Sequence, residues 1–214
     1  MPGYIYLPVP TREMFDFAEE FQNAQTAQGK TPYTILHNYE SGWRKGFLRA
    51  IGRGVLRNVA ADDKLYVLSH GPEVGGGRFT GARRGATPPT HAGGEWEGGT
   101  MKKYSPSQLA EVIKEEGLIT SFVHLSLFIC GSGLLPRLGG NSFAQNLAAE
   151  LGSLGYEHIR VVGYLGQVSA DGGFGVLLAS APGGAGYYPM EDNQVAFGPH
   201  GGRVPIPALI DRGI

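Results

Sequence analysis

The chain has one cysteine, Cys130, in 214 residues. That excludes an intrachain disulfide framework and any zinc centre built on several thiolates. Net charge is also scarce, with 18 Lys and Arg against 19 Asp and Glu. Bulk phosphate binding needs an excess of cations, so nucleic acid is not an expected partner. Arg83-Arg84 and Lys102-Lys103 are short basic pairs and read as solvated loop charges. No apolar run approaches the roughly 20 residues that span a bilayer. The opening MPGYIYLPVPTREMF lacks a basic start followed by a long apolar core, so neither a signal peptide nor a membrane partner is expected. No acid-rich or histidine-rich cluster suggests a metal, and no cofactor is expected. The implied setting is a reducing compartment, either the cytoplasm or a site reached by an effector exported without a cleavable signal.

What is present is hydrophobic mass and glycine. Hydrophobic residues make up 42% of the chain, enough for a full core. The length suits one domain over residues 1–214. The 35 glycines are unevenly spread. They crowd a long Gly/Pro-rich loop from Pro72 to Tyr104, the stretch 131–140, and a C-terminal segment from 181 onward. Loops this long in a compact domain are usually functional. The loop 72–104 reads as a lid or as an insertion that binds a partner.

The order of elements gives the fold class. YIYLPV (4–9), YTILHNY (33–39), KLYVLS (64–69), HLSLFIC (124–130), IRVVGYLG (159–166) and FGVLLAS (174–180) read as strands. Thr11, Ser41, Ser105 and Ser142 each stand where a helix cap belongs. The Ser41 helix would bury Trp43, Phe47, Ala50, Ile51, Val55 and Val59 on one face. Pro106 sits at a first helical position and Gly117 at a helix end. Strands alternate with helices, which implies a three-layer α/β/α domain around a mostly parallel sheet. The short turn QVSADGG should make the pair 159–166 and 174–180 antiparallel, as a C-terminal strand pair.

Ligands of such sheets bind beyond the carboxyl ends of the strands. Two strands there run straight into chemistry: KLYVLSHG ends on His70-Gly71, and HLSLFICGSG ends its apolar run on Cys130 followed by Gly131. A lone cysteine on an apolar strand is ordinarily an inert core residue, and a histidine at a strand end often caps a loop. Their pairing, each followed by glycine and a long loop, points to a nucleophile and its base instead. His37, His124, His158 and His200 have ordinary positions, which leaves His91 as the substitute for His70. Other chemistries fail on spacing. Arg137 follows Cys130 after six residues, where a cysteine phosphatase needs five, and GSGLLPRLGG lacks the Lys-Ser/Thr end of a nucleotide loop.

The pieces YVLSHG, YSPSQLAEVIKEEGL, HLSLFICGSG and NSFAQNLAAELGSLGYEHIRVVGYLG, in this order, resemble the caspase-like cysteine peptidases. The likeness is strongest to the clostripain-like enzymes and the self-cleaving domains of bacterial toxins, and it covers about half the chain. The resemblance implies a peptidase that works through a Cys-His dyad and a thioester. Cys130 would be the nucleophile, His70 the acid/base, and the N–H groups of Gly71 and Cys130 the oxyanion hole. The partner would be a protein or peptide substrate, and the protein could be a bacterial effector. Basic-specific relatives place an acid two residues before the cysteine. Phe128 stands there, so an apolar residue, leucine first, is expected before the cut. Loop acids Asp171, Glu191 and Asp192 are the alternative substrate-binding groups. The same dyad would also serve a deamidase or acyltransferase acting on a protein, and the fold would equally serve a binding module without catalysis. The sequence sets no oligomeric state.

Overall fold

The computed structural model describes residues 2–38, 51–52, 54–71, 80–84, 99–171, 176–180 and 187–206. The first half holds β1 (Gly3–Leu7), α1 (Arg12–Ala27), β2 (Thr34–His37), β3 (Lys64–Leu68), β4 (Thr80–Arg84) and β5 (Thr100–Tyr104). The second half holds α2 (Pro106–Glu115), β6 (His124–Phe128), α3 (Phe143–Ser153), β7 (Arg160–Tyr164), β8 (Val168–Asp171), β9 (Val176–Ser180), β10 (Tyr187–Pro189), a 3-10 turn (Met190–Asn193), β11 (Gln194–Phe197) and β12 (Arg203–Val204).

The central sheet has seven strands in the order β12-β11-β7-β6-β3-β1-β2. From β2 to β7 all neighbours are parallel. At the other edge β11 runs antiparallel to β7, and β12 antiparallel to β11. The chain thus adopts the expected three-layer α/β arrangement with an antiparallel C-terminal pair. Strands buried on both faces need apolar residues at every position. Leu65, Val67, Leu125, Leu127 and Val161 supply one face, all fully buried. Tyr66, Phe128 and Tyr164 supply the other. Phe21 of α1 lies 5.0 Å from the rings of both Tyr66 and Phe128, so α1 covers that face. On the opposite face Gly163 approaches Ala144 of α3 so closely that an added Cβ would lie 2.7 Å from its methyl. There α2 packs along α3.

Three of the expected caps are present. Thr11 Oγ1 accepts from the Met14 N–H at 3.2 Å, and Ser142 Oγ from the Gln145 N–H at 3.1 Å. Ser105 and Gln108 form a full capping box, with Pro106 in the first turn. Such caps contribute about 1 kcal/mol each.

Three expectations change. The antiparallel partner of β7 is β11, not 174–180. The stretch read as the turn QVSADGG contains β8, which pairs with β9 in a separate sheet of order β10-β9-β8. That hairpin closes locally, so β9 has its partner before it could reach the main sheet. The loop from Pro72 to Tyr104 contains the antiparallel pair β4–β5. The Ser41 helix lies mostly outside the described residues, Trp43, Phe47 and Ala50 included. Of its remaining face, Ile51 is exposed, and residues 55–58 form a turn that buries Leu56 and Val59. Leu56 donates its N–H to the Glu116 carbonyl at 2.9 Å. Among the described residues no helix is long and apolar enough to cross a membrane.

Candidate active site

Strand order fixes where a site belongs. The chain leaves β1 for β2 on one side, then crosses back to β3 on the other. The loops above β1 and β3 therefore diverge and leave a crevice at the carboxyl edge. The loop after β1 leads into α1 and the loop after β3 carries His70, so both walls of the crevice bear polar residues.

His70 is anchored by its backbone. Its N–H donates to the Gly81 carbonyl at 2.9 Å, and its carbonyl accepts from the Gly81 N–H at 3.2 Å and the Thr80 hydroxyl at 2.7 Å. Its ring is held from the other wall. Nε2 lies 2.7 Å from Oε1 of Glu13, and the Phe17 ring meets the imidazole edge-on at 5.7 Å. The Glu13 side chain is 8% exposed, and among the described residues its buried Oε2 has no hydrogen-bond partner. Glu13 stands in the first turn of α1, where the helix dipole favours an anion. Which partner donates in this contact depends on the imidazole tautomer; with the proton on Nε2, the ring donates to Glu13 and Nδ1 is the acceptor.

Cys130 lies two residues past the end of β6. Because Leu68 pairs with Phe128, His70 and Cys130 stand at the same height beyond neighbouring parallel strands. Gly71 closes the gap: a Cβ there would lie 1.9 Å from the Cys130 carbonyl oxygen and 2.9 Å from its nitrogen. Only glycine lets the two loops touch this way. Gly131 has φ +62°, the left-handed region that suits glycine. Its N–H donates to Gly166 at 2.8 Å, and the Gly133 N–H donates to Tyr164 at 2.9 Å. The Gly-Ser-Gly run is thereby stitched to the end of β7. Among the described residues neither the Gly71 nor the Cys130 N–H is donated to a backbone carbonyl.

The thiol itself is half-covered. The Val168 N–H points at Sγ from 3.5 Å, and Sγ lies 4.0 Å from the Val168 carbonyl. Burial pushes the thiol up, outweighing the opposing hydrogen bonds with the backbone of Val168 and of Cys130 itself. The resting sulfur is therefore protonated at neutral pH. Among the described residues no hydrogen bond joins it to the His70 ring.

The remaining sequence candidates are dispersed. Phe128 is 5% exposed and packs among Phe21 and Tyr164, at 5.0 and 6.4 Å, in the aromatic core. Asp171 pairs through its backbone with Val176, and Glu191 belongs to the 3-10 turn, but their side chains lie outside the described residues. Asp192 is exposed on the same turn. His91 also falls outside the described residues. A cavity of about 560 Å³ opens elsewhere, at the N-terminal ends of α2 and α3, lined by Pro106, Arg137, Leu138 and Phe143 among others. It contains none of the predicted site residues. Among the described residues no group of three His, Cys, Asp or Glu side chains gathers as metal ligands would. Glu13 is the neighbour of His70 that sequence reasoning missed. Its only local signal, an acid two residues after a cap, is common to many surface helices.

Comparison with known protein families gives no match to this chain, and none of the curated proteins is similar to it.

Proposed function

We propose that the chain is a cysteine peptidase acting on protein or peptide substrates, with Cys130 as nucleophile and His70, oriented by Glu13, as acid/base. The observation that carries the reading is the contact of Gly71 with the Cys130 carbonyl. It brings two loops with complementary chemistry to one point, at the crevice where α/β sheets bind ligands. An imidazole held at Nε2 by a carboxylate, with Nδ1 left to carry the proton, suits a group that must accept a proton and then return it.

The steps follow from these positions. The protonated thiol gives its proton to His70, and the thiolate attacks the scissile carbonyl carbon to form a C–S bond. The N–H groups of Gly71 and Cys130 serve the oxyanion, since donors aimed at developing charge are often the largest catalytic term. Collapse breaks the C–N bond, and His70 protonates the departing amine. Water then hydrolyses the thioester, regenerating the thiol. A reducing cytoplasm, the protein's own or that of a cell it enters, keeps such a thiol functional.

Mass-spectrometric mapping of peptide termini in a treated proteome tests the reading. New termini should form with the wild-type chain and be absent with Cys130→Ala. A gain of about 1 Da at glutamine without new termini would identify a deamidase using the same thioester chemistry. No thiol-dependent product at all would identify a binding module.

A further inference from the structure

The strands β4 and β5 form a two-stranded sheet of their own. Their register sets Gly81 opposite Lys103, Ala82 opposite Lys102, and Arg83 opposite Met101. Two basic pairs that are remote in sequence thus become one ribbon, with four cations and no acid in its strands TGARR and TMKKY. Thr100, Met101, Lys102 and Lys103 are all exposed, while Tyr104 is buried as an anchor. Lys102 Nζ lies 5.1 Å from the centre of the Tyr104 ring. Among the described residues neither Lys102 nor Lys103 has a carboxylate within ion-pair distance.

The ribbon is tied to the candidate site. Gly81 directs both its N–H and its carbonyl away from β5, into the two bonds with His70. Strand period turns the backbone groups of Arg83 toward the same outer edge. That edge ends at the residue proposed as acid/base.

The occupant follows from chemistry. Lys102 and Lys103 are consecutive on a strand, so they face opposite sides of the ribbon. A compact polyanion or a flat lipid surface would meet one side only. The outer edge of β5 is the available one: the same register turns the backbone groups of Met101 and Lys103 away from β4, and among the described residues none of them is bonded to another backbone group. Such an edge offers backbone hydrogen bonds that an extended peptide uses and a nucleic acid does not. The whole chain has a net charge of −1, so no broad positive field favours a polyanion. We propose that the β4–β5 ribbon docks an acidic, extended segment of the protein substrate, pairing with it as an added strand. The proposal rests on the peptidase reading for the word substrate, but the docking stands on the ribbon alone.

The test uses full-length Cys130→Ala, which cannot form a thioester. Its binding to a fluorescein-labelled decapeptide of alternating Glu and Val is measured by anisotropy, beside the matching Gln-Val peptide. The acidic peptide should bind more tightly. Adding Lys102→Gln/Lys103→Gln should weaken it about tenfold while leaving the neutral peptide unchanged. Equal affinity with and without the lysines overturns the proposal. So does tighter binding of a single-stranded oligonucleotide or of phosphatidylserine vesicles that depends on the same lysines. Residues 85–98 join the two strands and carry Glu95 and Glu97. If Glu95→Gln/Glu97→Gln raises affinity more than tenfold, the chain's own segment is the occupant and the proposal falls. Cleavage by the wild-type chain alongside lysine-independent binding removes the docking proposal alone. Lysine-dependent binding without cleavage removes the peptidase reading alone.

Discussion

A carboxylate in the first turn of a helix ordinarily complements the helix dipole from the surface. Glu13 instead is buried, has one oxygen without a partner among the described residues, and sets the other 2.7 Å from His70 Nε2. Leaving a buried acceptor unsatisfied costs about 1–3 kcal/mol, a cost that a packing role alone does not explain. Glu13→Gln keeps the shape and reverses the hydrogen bond, because an amide nitrogen can donate to Nε2 and move the imidazole proton to Nδ1. Peptide cleavage should fall by roughly 100-fold or more. Glu13→Asp should recover part of it, and the melting temperature should separate the two effects. Equal losses of activity and stability in both variants would make Glu13 a structural residue. The candidates His70 and Cys130 came from local signals, strand ends with following glycines. The contact of Glu13 with His70 gave no local signal, because the partner is 57 residues away.

At the scale of elements, local chemistry was readable and pairing was not. Thr11, Ser105 and Ser142 announce their helices within four residues of sequence. The ribbon β4–β5 gives no such signal, since TGARR and TMKKY lack the apolar alternation of half-buried strands. The hairpin β8–β9 was hidden for the opposite reason, because its first strand resembles a turn. Pairing also creates charge rows that no single strand predicts. The registers of β3, β6 and β7 set Lys64, His124 and Arg160 side by side at the amino edge of the sheet. Burial first, then Arg160 and Lys64, hold His124 below its usual range, against a smaller opposing effect of Asp62. A histidine with a depressed folded value contributes stability above its unfolded value of about 6.5 and loses it as pH falls through the folded one. Thermal melts from pH 8 down to pH 5 should therefore show a steeper loss for the wild-type chain than for His124→Gln. Parallel curves would mean that the row of cations is solvated too well to matter.

At the scale of the molecule, the crevice depends on two layers meeting at one edge. α1 reaches His70 from one face, and the parallel register of β3 with β6 carries Cys130 to the same height. Gly71 is where these arrangements join. Its φ is outside the left-handed region, so alanine there would suffer no backbone strain, only contact. The added methyl would meet the Cys130 carbonyl oxygen at 1.9 Å, its carbon at 2.8 Å and its nitrogen at 2.9 Å, all of them backbone atoms. The paired residues Leu68 and Phe128 hold the strands below, so the loops must open above them. Overpacking of this kind costs about 1–3 kcal/mol, or a melting shift of a few degrees for a chain of this size. On the proposed mechanism its effect on chemistry should be larger, because the same movement shifts the Cys130 loop relative to the His70 loop and tilts both proposed oxyanion donors. Gly71→Ala should thus lower cleavage by roughly 100-fold or more, given that one misaimed donor alone costs that much. Gly202→Ala is the control: a Cβ there meets nothing within 4 Å and should change neither quantity. Full activity in Gly71→Ala would place the working nucleophile and base elsewhere, whatever the melting temperature does.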